Sequence, residues 1–431
     1  MIFSVLFFGT IVRLISINQS LWLDEATTAI ASQLSLSDFF THFMSGDFHP
    51  PLYYLVIHYW TLVFGYSEIA LRFPSVIFGL LTIYLVYLIA REIKVKWPII
   101  APLFLATSGL HIYYSQEARM YSMATFLVTL TVYLFLKQKW LLFALTLPLI
   151  FLTDYLSILI LPALITYSYF YDKRILKNMF FSTTPLLITF IIWFPTFFKQ
   201  LTHGMLVKEN ANNWWNILGP VTFKNVALIP TKFMIGRVSI ESQTIYLSVI
   251  ITLGFIFALA LSKAKNKLVW SWFLVSLIVG VLISFFIPTL TYFRYLFILP
   301  AFYLLLSETA GKILIALIIA INLLTSSFYL LNSKFHREDW RSVAKEIGDQ
   351  KIVFPNDSQK EALIYYGKEE NIISVQELKT ISNEPVWLSR YVWEIFDPTD
   401  STRLRLIDRG YNMIEEKRYN GVVIQKYESR N

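Results

Sequence analysis

Two carboxylates stand side by side in Ser20-Leu21-Trp22-Leu23-Asp24-Glu25. A carboxylate held at a surface can act as a general base, taking the proton from an incoming hydroxyl. The same pair at a helix start would also favour the helix dipole, and the residues alone leave both readings open. A second segment is Asp47-Phe48-His49-Pro50-Pro51-Leu52-Tyr53-Tyr54. Its prolines are tolerated at a helix start, which leaves His49 at a helix N-terminus, a place suited to a phosphate. A turn with a surface histidine is the plainer alternative. A third is His111-Ile112-Tyr113-Tyr114-Ser115-Gln116-Glu117-Ala118-Arg119-Met120-Tyr121. Ionisable groups near a membrane are costly and usually face an interior cavity, although an interfacial turn with an aromatic belt would read the same way. Arg294, between Tyr292 and Tyr295, offers a planar guanidinium to a phosphate. Glu68 and Arg72 have the spacing of a helix pair. Asp154 stands alone at an apolar tip, and Trp214 and Trp215 read as interfacial anchors.

The elements that must hold these residues follow from composition. Apolar residues make up 56% of the 431, and charged residues 15%. Half of the 66 charges, 16 basic and 17 acidic, fall in residues 332–431, so residues 1–331 carry only about one charge in ten. Soluble domains carry roughly a quarter. The first part therefore reads as a polytopic α-helical membrane domain, 1–331, and the tail, 332–431, as a soluble domain. The net charge of +8 lies between apolar spans while the tail is near neutral, which argues against nucleic acid as a partner. With no cysteine, disulfides and thiolate chemistry are excluded.

A membrane helix needs about 20 apolar residues. Charges and prolines divide the chain into about 11 candidate transmembrane helices, near 1–18, 69–90, 97–112, 122–136, 140–155, 157–171, 179–198, 244–262, 268–287, 294–307 and 312–331. Met1–Ile17 lacks a basic start and a small-residue cleavage site, so it reads as a retained helix. Alternate short loops carry Arg91, Lys94 and Lys96, then Lys137 and Lys139, then Lys173, Arg174 and Lys177, then Lys263, Lys265 and Lys267, and finally Lys312. Excess lysine and arginine in short loops marks the cytoplasmic side. The expected topology is thus a multi-pass protein of the plasma (cytoplasmic) membrane. Its first outer loop, 19–68, and its tail lie on the extracytoplasmic side, so any chemistry faces outward.

The tail alternates between helical and extended patterns. A helix start is expected at Asp339–Glu346, and helices at Ser358–Tyr366 and around Ser401–Arg409. Strands are expected at Lys351–Phe354, Ile372–Val375, Val386–Leu388 and Gly421–Tyr427. That is a small α/β domain, without a dinucleotide fingerprint, phosphate-binding loop or nucleophile elbow.

Taken together, the segments Ser20–Glu25, His49–Tyr54, Ser67-Glu68-Ile69-Ala70-Leu71-Arg72-Phe73-Pro74-Ser75 and Ser115–Ser122 resemble a known family in order and spacing over residues 13–125. They are similar to the membrane-embedded GT-C glycosyltransferases of the protein O-mannosyltransferase and lipid A aminoarabinose transferase branch (glycosyltransferase family 39-like). The resemblance implies a GT-C type fold and a sugar donor linked to polyprenyl phosphate. It implies a hydroxyl-bearing acceptor on a protein, lipid or glycan, and transfer with inversion at the outer face of the lipid bilayer. Asp24 would match the catalytic base, with Glu25 beside it as the second catalytic candidate. His49 stands where the aminoarabinose transferases have a lysine that approaches the donor phosphate. Tyr53, Glu117, Arg119 and Arg294 complete the expected donor-phosphate and substrate-binding set. Those transferases also carry an acid directly before that lysine, which can hold a metal; here Phe48 takes that position and Asp47 lies one place early. No cofactor is expected with certainty, and a divalent metal ion is the one candidate. A transporter or flippase of lipid-linked sugars is the alternative. It predicts ionisable groups at mid-membrane, where this sequence has almost none.

Overall fold

The computed structural model describes residues 1–210, 219–380 and 384–429. Trp214 and Trp215 lie outside the described residues. Ser67 opens the helix Glu68–Glu92 by accepting the N–H of Ala70 on its side chain. Pro74 lies inside that helix and cannot donate to the carbonyl of Ala70, four residues back. The indole N–H of Trp60 donates to that carbonyl instead, at 2.9 Å, and so joins the helix to Leu52–Phe64.

Among the described residues, five helices are long and apolar enough to cross a membrane: Glu68–Glu92, Lys173–Met205, Gln243–Leu261, Lys267–Ser284 and Lys312–Leu331. Shorter apolar helices, Ile2–Leu14, Tyr121–Leu136, Trp140–Thr153 and Leu156–Tyr171, fall at four further expected spans. Two expected spans are not single α-helices. The candidate at 97–112 breaks at Ser108 into Ile100–Thr107 and Gly109–Ser115. The candidate at 294–307 starts as the 3-10 turn Tyr292–Ile298 and continues as Leu299–Thr309. Leu52–Phe64, read from the sequence as part of the outer loop, is an apolar helix of 13 residues. It is too short to span a bilayer, yet Leu62, Val63 and Phe64 are exposed on it. Phe3, Ile191 and Phe286 are likewise more than 70% exposed, as faces turned toward lipid require. The chain is thus a polytopic α-helical membrane protein.

The break at Ser108 leaves the Ala106 carbonyl without a helical partner inside the bundle, and Arg13 takes it together with that of Leu105. Its guanidinium, fully buried, donates to Ala106 O at 3.2 Å and Leu105 O at 3.4 Å, and meets His111 Nδ1 at 2.6 Å. Gly79 lets the Glu68–Glu92 helix approach the same corner, since a Cβ there would lie 2.3 Å from Ser115 Oγ.

The C-terminal part is a β-sheet domain. Its strands β1 (Lys351–Val353), β2 (Ile372–Ile373), β3 (Val386–Ser389), β4 (Tyr411–Tyr419) and β5 (Val422–Ser429) are ordered β2-β1-β3-β5-β4. Pairing is parallel from β2 to β3 and antiparallel from β3 to β4. The strand β4 was not expected. It carries Glu415, Glu416, Lys417 and Arg418, has no clean apolar alternation, and lies at the sheet edge, where charge is the common protection against further pairing. The domain docks on the segment leading to Asp24. Tyr366 OH accepts the N–H of Leu21 at 2.9 Å, and Arg341 reaches Asn18 O and Glu68, each at 2.7 Å.

Candidate active site

Leu23–Gln33 forms a helix with Asp24 and Glu25 in its first turn. The two neighbours have different surroundings. Glu25 is fully buried, and Arg72 grips it with Nε–Oε1 at 2.8 Å and Nη2–Oε2 at 2.5 Å. The N–H of Ala118 donates to Oε1 at 2.8 Å, and Arg337 Nε stands 3.5 Å from Oε2. Burial opposes the charge on Glu25. The guanidiniums of Arg72 and Arg337, with the donated hydrogen bonds, outweigh that and hold its carboxyl below the usual range. Arg72 also donates to the carbonyls of Ile17, Gln19 and Ser20. It thereby fixes the turn that presents Asp24. The expected helix pair between Glu68 and Arg72 does not form: Arg72 is drawn to the buried Glu25, and Glu68 pairs with Arg341 of the tail.

The Asp24 side chain is 38% exposed and faces Arg119, whose Nη2 lies 3.5 Å from Oδ2. Arg119 also meets His49 Nε2 at 3.1 Å and donates to Tyr54 OH at 3.4 Å. Behind them Asp47 accepts from Tyr54 OH at 2.5 Å and from the N–H of Phe48 at 2.7 Å, and meets His49 Nδ1 at 3.2 Å. Burial disfavours ionisation of Asp47, but His49, Arg119 and the Tyr54 hydroxyl hold its carboxyl below the usual range. His58 Nδ1 meets Ser32 O at 2.7 Å and ties Leu52–Phe64 to Leu23–Gln33, which sets this second segment against the first. Gln200 secures it from the other side by donating to His49 O at 3.2 Å.

The third segment adds Glu117, which is 1% exposed. Arg337 Nη2 approaches its Oε2 at 3.4 Å, while Oε1 has no hydrogen-bond partner among the described residues. Burial and the neighbouring Glu25 raise its pKa to about 7 against the pull of Arg337, Arg237 and Arg119. Arg237 and Arg337 both lie over the Tyr113 ring, each 4.2 Å from its centroid. Gly236 (φ +64°) sets Arg237 there, packed so closely on Gly109 and Leu110 that a Cβ would lie 3.2 Å from Leu110 N.

Asp24, Glu25, His49, Glu117 and Arg119 are thus brought together. Tyr53 is set behind them, buried and bonded to Ser75 at 2.8 Å. Arg294 is half-buried in the Tyr292–Ile298 turn and, among the described residues, makes no side-chain hydrogen bond or ion pair. Asp154 turns back on its own chain and accepts from Ser157 N and Oγ. Sequence reasoning missed Arg237 and Arg337. For Arg337 a signal existed: charges gathered just beyond the end of an apolar helix, the cue that singled out Asp24. As for a metal, Asp47 and His49 supply two donors, and no third histidine or carboxylate joins them among the described residues. The guanidinium of Arg119 lies against His49 and opposes a further cation. Asp47 and His49 are the side chains here that could hold a divalent metal ion, with water and phosphate oxygens completing its shell.

A family model described as dolichyl-phosphate-mannose-protein mannosyltransferase matches residues 48–198. An uncharacterized protein of Aquifex aeolicus (strain VF5) is 26% identical over 245 residues, 50% of this chain and 48% of that protein. The chain is also similar to a chain of the yeast S. cerevisiae protein O-mannosyltransferase Pmt1-Pmt2 complex bound to the sugar donor. There the identity is 16% and the TM-score 0.36, over 47% of this chain and a third (33%) of that one. Against ArnT from Cupriavidus metallidurans in the apo state, identity is 12% and the TM-score 0.45, over 99% and 97% of the two chains. Against the Archaeoglobus fulgidus oligosaccharyltransferase, identity is 11% and the TM-score 0.48, over 97% and 74%.

Proposed function

We propose that this protein is a GT-C type membrane glycosyltransferase. It moves a sugar from a polyprenyl-phosphate donor to a hydroxyl acceptor at the outer face of the membrane. The observation that carries the reading is the partly exposed carboxylate of Asp24 beside Arg119, held by a buried ion-pair frame of Glu25 and Arg72. The family model over residues 48–198 supports the same donor class, since it covers His49, Tyr53, Glu117 and Arg119.

In this reading Asp24 takes the proton from the acceptor hydroxyl as its oxygen attacks the anomeric carbon. The phosphate leaves from the opposite face, and the centre is inverted, as when a carboxylate activates the nucleophile of an inverting glycosidase. The departing phosphate gains charge. Arg119 and the unpaired Arg294 are the cations that stabilise it, with His49 beside Arg119 as a further donor. Glu25 acts through Arg72 and the 17–20 turn and is a positioning residue. Domain roles follow: residues 1–331 hold the catalytic groups, and the extracytoplasmic tail from 332 completes the frame through Arg337.

The test is turnover by purified protein reconstituted with a panel of polyprenyl-phosphate sugars and hydroxyl acceptors, with products read by mass and runs repeated with a chelator. A glycosylated acceptor and released polyprenyl phosphate support the proposal, and loss of turnover with the chelator would add a divalent metal ion to the site. Movement of lipid-linked sugar between leaflets with no product would favour a flippase.

A further inference from the structure

The end of the bundle opposite Asp24 carries a second feature. Arg72 and Glu92 are twenty residues apart on one helix, about 30 Å at the α-helical rise. Beside Glu92 lies a cavity of about 420 Å³ where several helices end, lined by Glu92, Tyr167, Tyr171, Asn266 and Lys267 with apolar Leu136 and Leu268. Lys267 lies 4.3 Å from the centroid of the Tyr171 ring and, among the described residues, has no ion-pair partner. The other charged liner is already engaged, since Glu92 pairs with Lys137 at 2.8 Å. The same helix ends and short loops carry Arg91, Lys94, Lys139, Lys173, Lys263 and Lys265, against the acids Asp172 and Glu308, and Glu308 is engaged in accepting the N–H groups of Lys265 and Asn266. Helix ends of this kind lie at the depth of lipid headgroups, where basic pockets between helices take anionic ones.

We propose that this cavity binds the phosphate of an anionic phospholipid headgroup. Lys267 is its cation, and the hydroxyls of Tyr167 and Tyr171 are its hydrogen-bond donors. A headgroup with a net negative charge matches an unpaired ammonium inside a basic rim. A zwitterionic headgroup would bring a second cation into that rim and is disfavoured. This inference concerns the lysine-rich end of the bundle and stands apart from the glycosyl-transfer reading.

The experiment is native mass spectrometry of the full-length protein released from nanodiscs of mixed phosphatidylglycerol and phosphatidylcholine. The wild type is expected to retain phosphatidylglycerol in preference to phosphatidylcholine. Lys267→Gln should weaken that retention about fivefold, the effect of one basic side chain at an anionic surface. Lys263→Gln, in the loop before that helix and outside the cavity lining, should weaken it less than Lys267→Gln does. Glu92→Gln removes the cavity's carboxylate and should raise retention, which keeps the proposal testable if Lys267→Gln fails to fold. Equal retention of the two lipids, no loss in folded Lys267→Gln, or no gain in Glu92→Gln would each overturn it. Displacement of the lipid by millimolar inorganic phosphate would overturn the lipid assignment in favour of free phosphate.

Discussion

Glu25 and Arg72 form a two-pronged ion pair with both side chains fully buried, one residue away from the partly exposed Asp24. Adjacent carboxylates are thereby given separate tasks. Removing one partner of a buried pair leaves the other charge unpaired and costs about 3–5 kcal/mol. Glu25→Gln should therefore lower thermal stability in detergent far more than Asp24→Asn does. Adding Arg72→Met should deepen the loss, because the carbonyls of Ile17, Gln19 and Ser20 then lose their donor as well. Equal stability of the two single variants would contradict the frame.

Glu117 gives a pH dependence. Its folded pKa of about 7 lies above the usual glutamate value, so the folded state holds the proton more tightly than the unfolded one. Stability from this group is fully present below the ordinary value of 4.5 and is lost as pH rises through about 7, a term of roughly 3 kcal/mol. Glu338, buried beside Trp340 and Tyr391, is raised to about 7 as well, mainly by burial, and has the same sign. Thermal unfolding followed from pH 5 to 8 should show a decline that is shallower in Glu117→Gln. An identical slope in that variant would count against the assignment.

These relationships explain how far the sequence could be read. The candidates Asp24, His49 and Arg119 were accessible because chemistry-bearing residues at the ends of apolar runs stand out against their surroundings. Helix spacing suggested Glu68 with Arg72, yet burial decided the partners, pairing Arg72 with Glu25 and Glu68 with Arg341. Local periodicity cannot register a contact between residues 47 or 273 positions apart. The same holds for Arg337 under Glu117, and for the break at Ser108, whose carbonyls are satisfied by Arg13 from another helix. The edge strand β4 escaped because its charged face hides the period-two signal.

The donor phosphate is proposed to meet Arg119 and Arg294. A charge-assisted hydrogen bond contributes about 1.5–3 kcal/mol. Arg294→Ala should thus weaken donor binding roughly 10- to 100-fold, and Arg294→Lys less, because charge is kept while the planar fork is lost. Arg119→Ala should do the same and also disturb His49 and Tyr54, which it contacts. Unchanged donor affinity in both alanine variants would remove the phosphate role.

Orientation is proposed from the lysine-rich loops. The chain has no native cysteine, so single cysteines report cleanly. Ser333→Cys, beyond the last apolar helix, should react from outside with an impermeant thiol reagent, and Lys265→Cys should not. The opposite pattern would turn the proposed site toward the cytoplasm.

The central claim is that Asp24 is the base. Asp24→Asn removes the proton acceptor and nearly keeps the shape, and losing one charge in the first helical turn costs only about 0.3–1 kcal/mol. Loss of a general base costs about 10²–10⁴ in rate. The decisive measurement is single-turnover sugar transfer by purified, folded Asp24→Asn protein on a donor the wild type uses. The account predicts donor binding close to wild type with transfer reduced by at least about 10²; wild-type transfer would contradict it.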